Sequence, residues 1–63
     1  MNKTHKAVLA ECDRLWHESK ARIDSLMPQK DHPQVAPMIE KNRGYMLALE
    51  DITEAIHNQS RKA

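Results

Sequence analysis

The sequence predicts an all-α fold: an antiparallel two-helix hairpin that pairs with a second copy into a four-helix bundle. Three observations carry that expectation. Two stretches place apolar residues at alternating steps of three and four, the spacing of a helix-pairing seam. All three prolines lie between those stretches, at Pro28, Pro33 and Pro37. The apolar load falls on Met, Leu, Ile, Val and Ala, with no Phe, one Trp and one Tyr, a composition that suits helices better than sheets. The 63 residues form one helical-hairpin domain, 1–63.

The first helix is predicted over about residues 4–27. Leu9, Cys12, Trp16, Ser19, Ile23 and Leu26 trace its a and d positions, and Val8, Leu15 and Arg22 precede the a positions and widen the stripe to one side. Thr4 or Asn2 is the expected N-cap and Pro28 the stop. Lys3 and Lys6 bring positive charge to the positive end of the helix dipole, so the start is expected to fray.

Residues 28–37 read as a proline turn. A proline disfavours helical geometry in the residue before it, which pushes Met27, His32 and Ala36 toward extended backbone. The second helix is expected to start between 33 and 38, with Pro33 or Pro37 in its first turn, and to run over about 36–59. Val35, Ile39, Asn42, Met46, Leu49, Thr53 and Ile56 form its seam, flanked by Met38, Tyr45 and Ile52. Arg61 and Lys62 fall where the negative end of the dipole favours cations. Gly44 costs about 1 kcal/mol against Ala in a helix interior, and a break at Asn42-Arg43-Gly44 is the alternative. The seam crosses Gly44 without changing phase, which argues for one helix.

Folding the helices back about the turn sets Ser19 opposite Asn42, Trp16 opposite Met46, Cys12 near Leu49 and Leu9 near Thr53. Ser19 and Asn42 form one polar layer. Either they hydrogen-bond to each other and fix register, or Ser19 simply lets the backbones approach. Chains this short bury a small share of their surface and need outside support. Cys12 is the only cysteine, so an internal disulfide is impossible. The expected support is a second copy, and the expected core and dimer residues are Val8, Leu9, Cys12, Leu15, Trp16, Ile23, Leu26, Met38, Ile39, Tyr45, Met46, Leu49, Ile52 and Ile56.

A lone thiol in a polar chain points to a reducing compartment. No signal-peptide core or membrane span is apparent, since the longest unbroken apolar run is Tyr45-Met46-Leu47-Ala48-Leu49; a soluble, cytoplasmic protein is expected. Ten Lys+Arg offset nine Asp+Glu, interspersed along the chain, which is not the footprint of a nucleic-acid binder. Lys20, Lys41 and Arg43 share a height along the hairpin, but Glu50, Asp51 and Glu54 would repel phosphates. Pairs such as Glu18 with Arg22 read as ordinary solubility charges.

One run resembles a chemical motif. Glu54-Ala55-Ile56-His57 has the Glu-x-x-His spacing that holds paired metal ions in four-helix bundles. Its geometry fails here, because Glu54 lies on the far side of the stripe and His57 at its edge. Glu11, Asp13, Glu18 and Asp24 of the first helix also point away from the seam. His5, His17 and His32 lack the i, i+4 partner of a helix-borne zinc site. Ser19, Ser25, Ser60 and Cys12 lack the oriented base a nucleophile needs, and there is no Gly-rich phosphate loop. Neither a cofactor nor enzymatic activity is expected. Leu47 faces away from the stripe, amid Glu50, Asp51 and Glu54, and these four residues are the candidate partner-binding surface: an apolar anchor with an acidic ring suited to a basic partner.

The whole chain, opening MNKTHKAVLAECDRLW and ending IHNQSRKA, resembles the small early-region proteins of lambdoid bacteriophages, encoded between the exonuclease and excisionase genes. The resemblance implies a non-enzymatic accessory factor made early in infection, acting in the host cytoplasm on host physiology or on the choice between lysis and lysogeny. The expected function is an interaction module, self-associating and binding a host or phage protein. The alternatives are a small nucleic-acid-associated regulator and a metal-binding bundle.

Overall fold

The computed structural model describes residues 2–62, and the side chains of residues 2–59. Helix α1 spans Lys3–Leu26, a 3-10 turn follows at Met27–Gln29, and helix α2 spans Ala36–Lys62. The two helices pack along one another in a rod measuring 48 × 16 × 12 Å.

Asn2 decides where α1 begins. Its extended backbone and its Oδ1, which accepts from the His5 amide at 2.8 Å, make it the N-cap, and Thr4 lies inside the helix. This bond satisfies one of the amide donors that every helix start leaves unpaired. The first turn contains no acidic residue.

The exit from α1 differs from the expectation. Met27 precedes Pro28 yet keeps helical angles, φ −55° and ψ −38°, and its amide closes the last turn on the Ile23 carbonyl. Pro28 has no N–H to continue that ladder, so the chain tightens into the 3-10 turn, where the Lys30 amide donates to Met27 O at 3.1 Å. The His32 carbonyl then accepts from both Val35 and Ala36, each at 3.0 Å, and His32 Nδ1 accepts from the Gln34 amide at 3.1 Å. Ala36, before Pro37, is likewise helical rather than extended. It opens α2, and Pro37 occupies the first turn, where a missing donor leaves nothing unpaired.

Helix α2 is continuous through Gly44 and reaches Lys62, three residues beyond the expected end. Gly44 does not have a positive φ, so nothing in its backbone requires glycine. The Arg61 and Lys62 side chains lie outside the described residues.

The seam follows the predicted phase. Cys12, Ser19, Ile23, Val35, Ile39 and Leu49 are buried. Leu9, Trp16, Leu26, Asn42, Met46, Thr53 and Ile56 are half-buried beside them. Packing is densest near the turn, where Ile23, Val35 and Ile39 cluster with Leu26, Met27 and Met46 against them. Truncating a residue as buried as Ile39 typically costs about 2–5 kcal/mol, a large fraction of what a small fold holds.

The polar layer resolves toward close approach. Ser19 is fully buried and its Oγ has no hydrogen-bond partner. Asn42 turns elsewhere: Nδ2 donates to Met38 O at 2.8 Å, and Oδ1 accepts from Arg22 Nη1 at 3.2 Å. The two do not hydrogen-bond to each other, and Ser19 is a small residue sealed in the seam. The expected Glu18–Arg22 pair is also replaced, since Glu18 accepts from Arg14 at 2.9 Å while Arg22 is engaged across the hairpin.

Candidate functional site

An antiparallel seam brings the g positions of both helices to one side and the e positions to the other. The two sides of this hairpin differ sharply in chemistry. On the g side, Val8, Met38, Tyr45 and Ile52 are all exposed, by 37%, 50%, 42% and 45%, and Leu15 is half-buried among them. The phase of the seam puts all five on one side of the rod, and Met38 and Tyr45 share a groove there. Arg22 closes the turn end of that side, where Arg22, Met38, Lys41, Asn42 and Tyr45 line this shallow groove of about 570 Å³. Isolated exposed apolar residues are ordinary, whereas a contiguous row rimmed by polar groups marks an interaction surface.

The e side carries charge, with Asp13, Lys20, Arg43 and Glu50 flanking the seam. Several of these charges are held in pairs, Lys20 with Asp24 at 3.2 Å and Arg43 with Glu40 at 3.3 Å. His17 Nε2 lies 3.4 Å from Asp13 Oδ1, so, contrary to the expectation, His17 does have an i, i+4 carboxylate neighbour, although among the described residues no third ligand joins the pair. Trp16 opens onto this side. Expected among the core and dimer residues, it is half-buried in the single hairpin, where the e-side neighbours Asp13, Arg43 and Glu50 leave part of the indole uncovered. Its ring meets His17 edge to face, with centroids 5.1 Å apart.

Trp16 forms a wall of two grooves. One, of about 240 Å³, is lined by Trp16, Arg43, Met46, Leu47 and Glu50. The other, of about 480 Å³, includes Leu9, Cys12, Asp13, Thr53 and His57. Leu47, 62% exposed, therefore does not stand alone; it shares a groove with an indole and a methionine. Of its expected acidic companions, Glu50 lines this groove, and Glu54 lies one turn on, with Glu50, Thr53, His57 and Asn58 around a third groove of about 420 Å³. Asp51 is exposed and borders neither. Trp16, Arg43 and Met46 are the members that sequence reasoning did not assign to this surface. The available signal was level: Trp16 sits opposite Met46, so Leu47 is its next neighbour on the open side.

The three cations expected at one height do not form one patch. Lys41 borders the apolar face, Arg43 borders the Trp16 groove, and Lys20 is paired with Asp24. Glu54 and His57 share a groove, but among the described residues no three His, Cys, Asp or Glu side chains converge as a metal set. Cys12 is a free, buried thiol, and no described helix is long and apolar enough to cross a membrane. On the outer face of α1, Arg14 binds both Glu11 and Glu18. The hydrogen bond from Arg14 holds the Glu11 carboxyl below the usual carboxylate range, and Glu11 in turn raises Arg14.

No known protein family, curated protein or solved structure matches the chain. Two faces of opposite character are what the hairpin offers to other molecules.

Proposed function

We propose that the protein is a non-enzymatic interaction module: a homodimer of hairpins, closed into a four-helix bundle through the g-side face, that binds a host or phage protein through the Trp16–Leu47 groove. The observation that carries this reading is the uncovered row Val8, Met38, Tyr45 and Ile52. A second hairpin laid on that row removes it from water at about 25 cal/mol per Å² of apolar area. A two-fold dimer achieves this because the same patch serves both subunits. The groove on the other side then stays open, with Trp16 and Leu47 as anchors and Glu50 and Glu54 favouring a basic partner segment. The resemblance to early-region phage proteins supports an accessory role in the infected host's cytoplasm.

Sedimentation equilibrium tests the reading. The wild-type chain is expected at twice its 7.3 kDa mass at micromolar concentration. Tyr45→Glu, which places a carboxylate in the middle of the apolar face, is expected to give a helical monomer. A wild-type monomer with a cooperative thermal transition would overturn it.

A further inference from the structure

The grooves on the e side adjoin one another. The Trp16–Leu47 groove shares Glu50 with the next along α2, and that one shares Thr53 and His57 with the groove of Leu9, Cys12 and Asp13, in which Trp16 is again a wall. Together they border α2 from Arg43 to Asn58, about 22 Å of helical rise. Leu9, Trp16, Met46 and Leu47 supply an apolar strip, and Asp13, Glu50 and Glu54 border it with carboxylates. The cations of this side are engaged or lie beyond the strip. Arg43 pairs with Glu40 and Lys20 with Asp24, His17 adjoins Asp13, and Lys3 and Lys6 occupy the start of α1, before Leu9.

We infer that the partner segment is a basic amphipathic α-helix of about fifteen residues, lying along this trough with its apolar stripe on Trp16 and Leu47. The inference rests on the partner-binding reading above. A segment that leaves water must still satisfy its backbone N–H and C=O groups, and docked segments do so in a few recurring ways. Strand addition needs an open sheet edge. The described residues form only helices and turns, and a helix bonds its backbone groups within itself. A polyproline segment keeps its backbone in water and docks into a groove lined by aromatic rings. This side has one such ring, Trp16, since the chain has no Phe and its single Tyr, Tyr45, lies on the g side. A helix satisfies its own backbone and needs from the surface only an apolar strip with polar borders. Lysines or arginines on its flanks meet Asp13, Glu50 and Glu54, which gives the helix its basic character.

Trp16 is the only tryptophan, so its emission reports on the trough when peptides without aromatic residues are added. Synthetic peptides of equal length are titrated into the full chain: leucine and lysine at helical spacing, the same composition in strict alternation, the helical pattern with glutamate for lysine, and a proline-rich lysine peptide. The helical leucine-lysine peptide is expected to saturate at one per chain, to shift Trp16 emission to shorter wavelength and to gain helicity by circular dichroism. Leu47→Ala is expected to weaken that binding about tenfold, and Tyr45→Glu to leave it unchanged. Equal or tighter binding of the alternating or proline-rich peptide would overturn the helix and leave the trough standing as the partner site. Equal or tighter binding of the glutamate peptide would overturn the basic occupant. Binding lost on Tyr45→Glu and retained by Leu47→Ala would move the peptide to the apolar g side and overturn the proposal. No saturable binding of any peptide would overturn the helix and the trough together.

Discussion

Arg22 reaches across the hairpin to Asn42, donating from Nη1 to Oδ1 at 3.2 Å, while the nearby Ser19 hydroxyl is sealed in the seam without a partner. Asn42 is thus satisfied from the rim, and Ser19 contributes through its size. A buried hydroxyl left unpaired carries a desolvation cost of about 1–3 kcal/mol. Ser19→Ala is therefore expected to leave stability unchanged or to raise it, measured by thermal denaturation. Ser19→Leu should separate the helices and cost about 1–3 kcal/mol, the range for overpacking. A destabilised Ser19→Ala protein would mean that the hydroxyl has a partner after all.

Gly44 offers the reverse case, a residue whose side chain is missing for no structural reason. A Cβ built there meets nothing within 4 Å, and α2 passes through it unbroken. Gly44→Ala is expected to stabilise the fold by about 1 kcal/mol. For a domain of this size, that corresponds to a rise of roughly 4–8 °C in Tm. An unchanged or lower midpoint would place a functional bend at Gly44.

The burial pattern shows which parts of the structure were legible in advance. The steps from Leu9 to Leu26 and from Val35 to Ile56 locate the seam correctly, because a three-four repeat leaves a helix pair one way to bury its apolar residues. The turn was harder to read. The proline rule describes a bias in the preceding residue, and at Met27 and Ala36 the hydrogen bonds of adjoining helical turns outweigh it. The polar layer was half legible: phase places Ser19 opposite Asn42, but Arg22 competes for the amide, and a side chain arriving from the rim leaves no mark in the seam's spacing. For Trp16 phase gives a direction, whereas its depth in the single hairpin also depends on the residues alongside, here Asp13, Arg43 and Glu50.

Trp16 accordingly has a smaller structural role than a fully buried tryptophan. Removing a core tryptophan typically costs about 3–5 kcal/mol. Trp16→Ala should cost less than that and leave a folded hairpin, judged by circular dichroism. Native Trp16 fluorescence should be partly accessible to a neutral quencher such as acrylamide. Complete protection in the dimer would place the indole inside the bundle and contradict the open groove.

The Glu11–Arg14 pair sets a pH dependence with a definite sign. The Glu11 carboxyl is lower in the folded chain than its ordinary value, so its contribution is fully present above the ordinary carboxylate range and lost as pH falls through the lowered folded value. Both side chains are more than half exposed, so solvent screening keeps the effect small. Arg14→Gln should flatten the acid limb of a Tm-against-pH profile measured at low salt, and added salt should have the same effect on the wild type. Identical profiles for the two proteins would show that the pair is not maintained in solution.

Leu47 separates folding from recognition. Among the described residues it is the most exposed of the large apolar side chains, and it lies away from both the seam and the g-side row. Leu47→Lys is therefore expected to preserve helicity and dimer mass, with stability changing by about 0.5 kcal/mol or less, the usual range for surface positions. The same substitution removes the apolar wall opposite Trp16 and puts a cation beside Glu50, where the proposed basic partner segment must approach. Capture from phage-infected cells should recover the partner with wild-type protein and lose it with Leu47→Lys, and Trp16→Ala should weaken recovery as well. Glu50→Gln separates the two contributions, because it retains the groove and removes one charge, so its effect should shrink as ionic strength rises. Undiminished capture by Leu47→Lys would remove this groove from consideration. Loss of the dimer on Leu47→Lys would mean instead that the second hairpin sits on the Trp16 side, which sedimentation of the same variant reads directly.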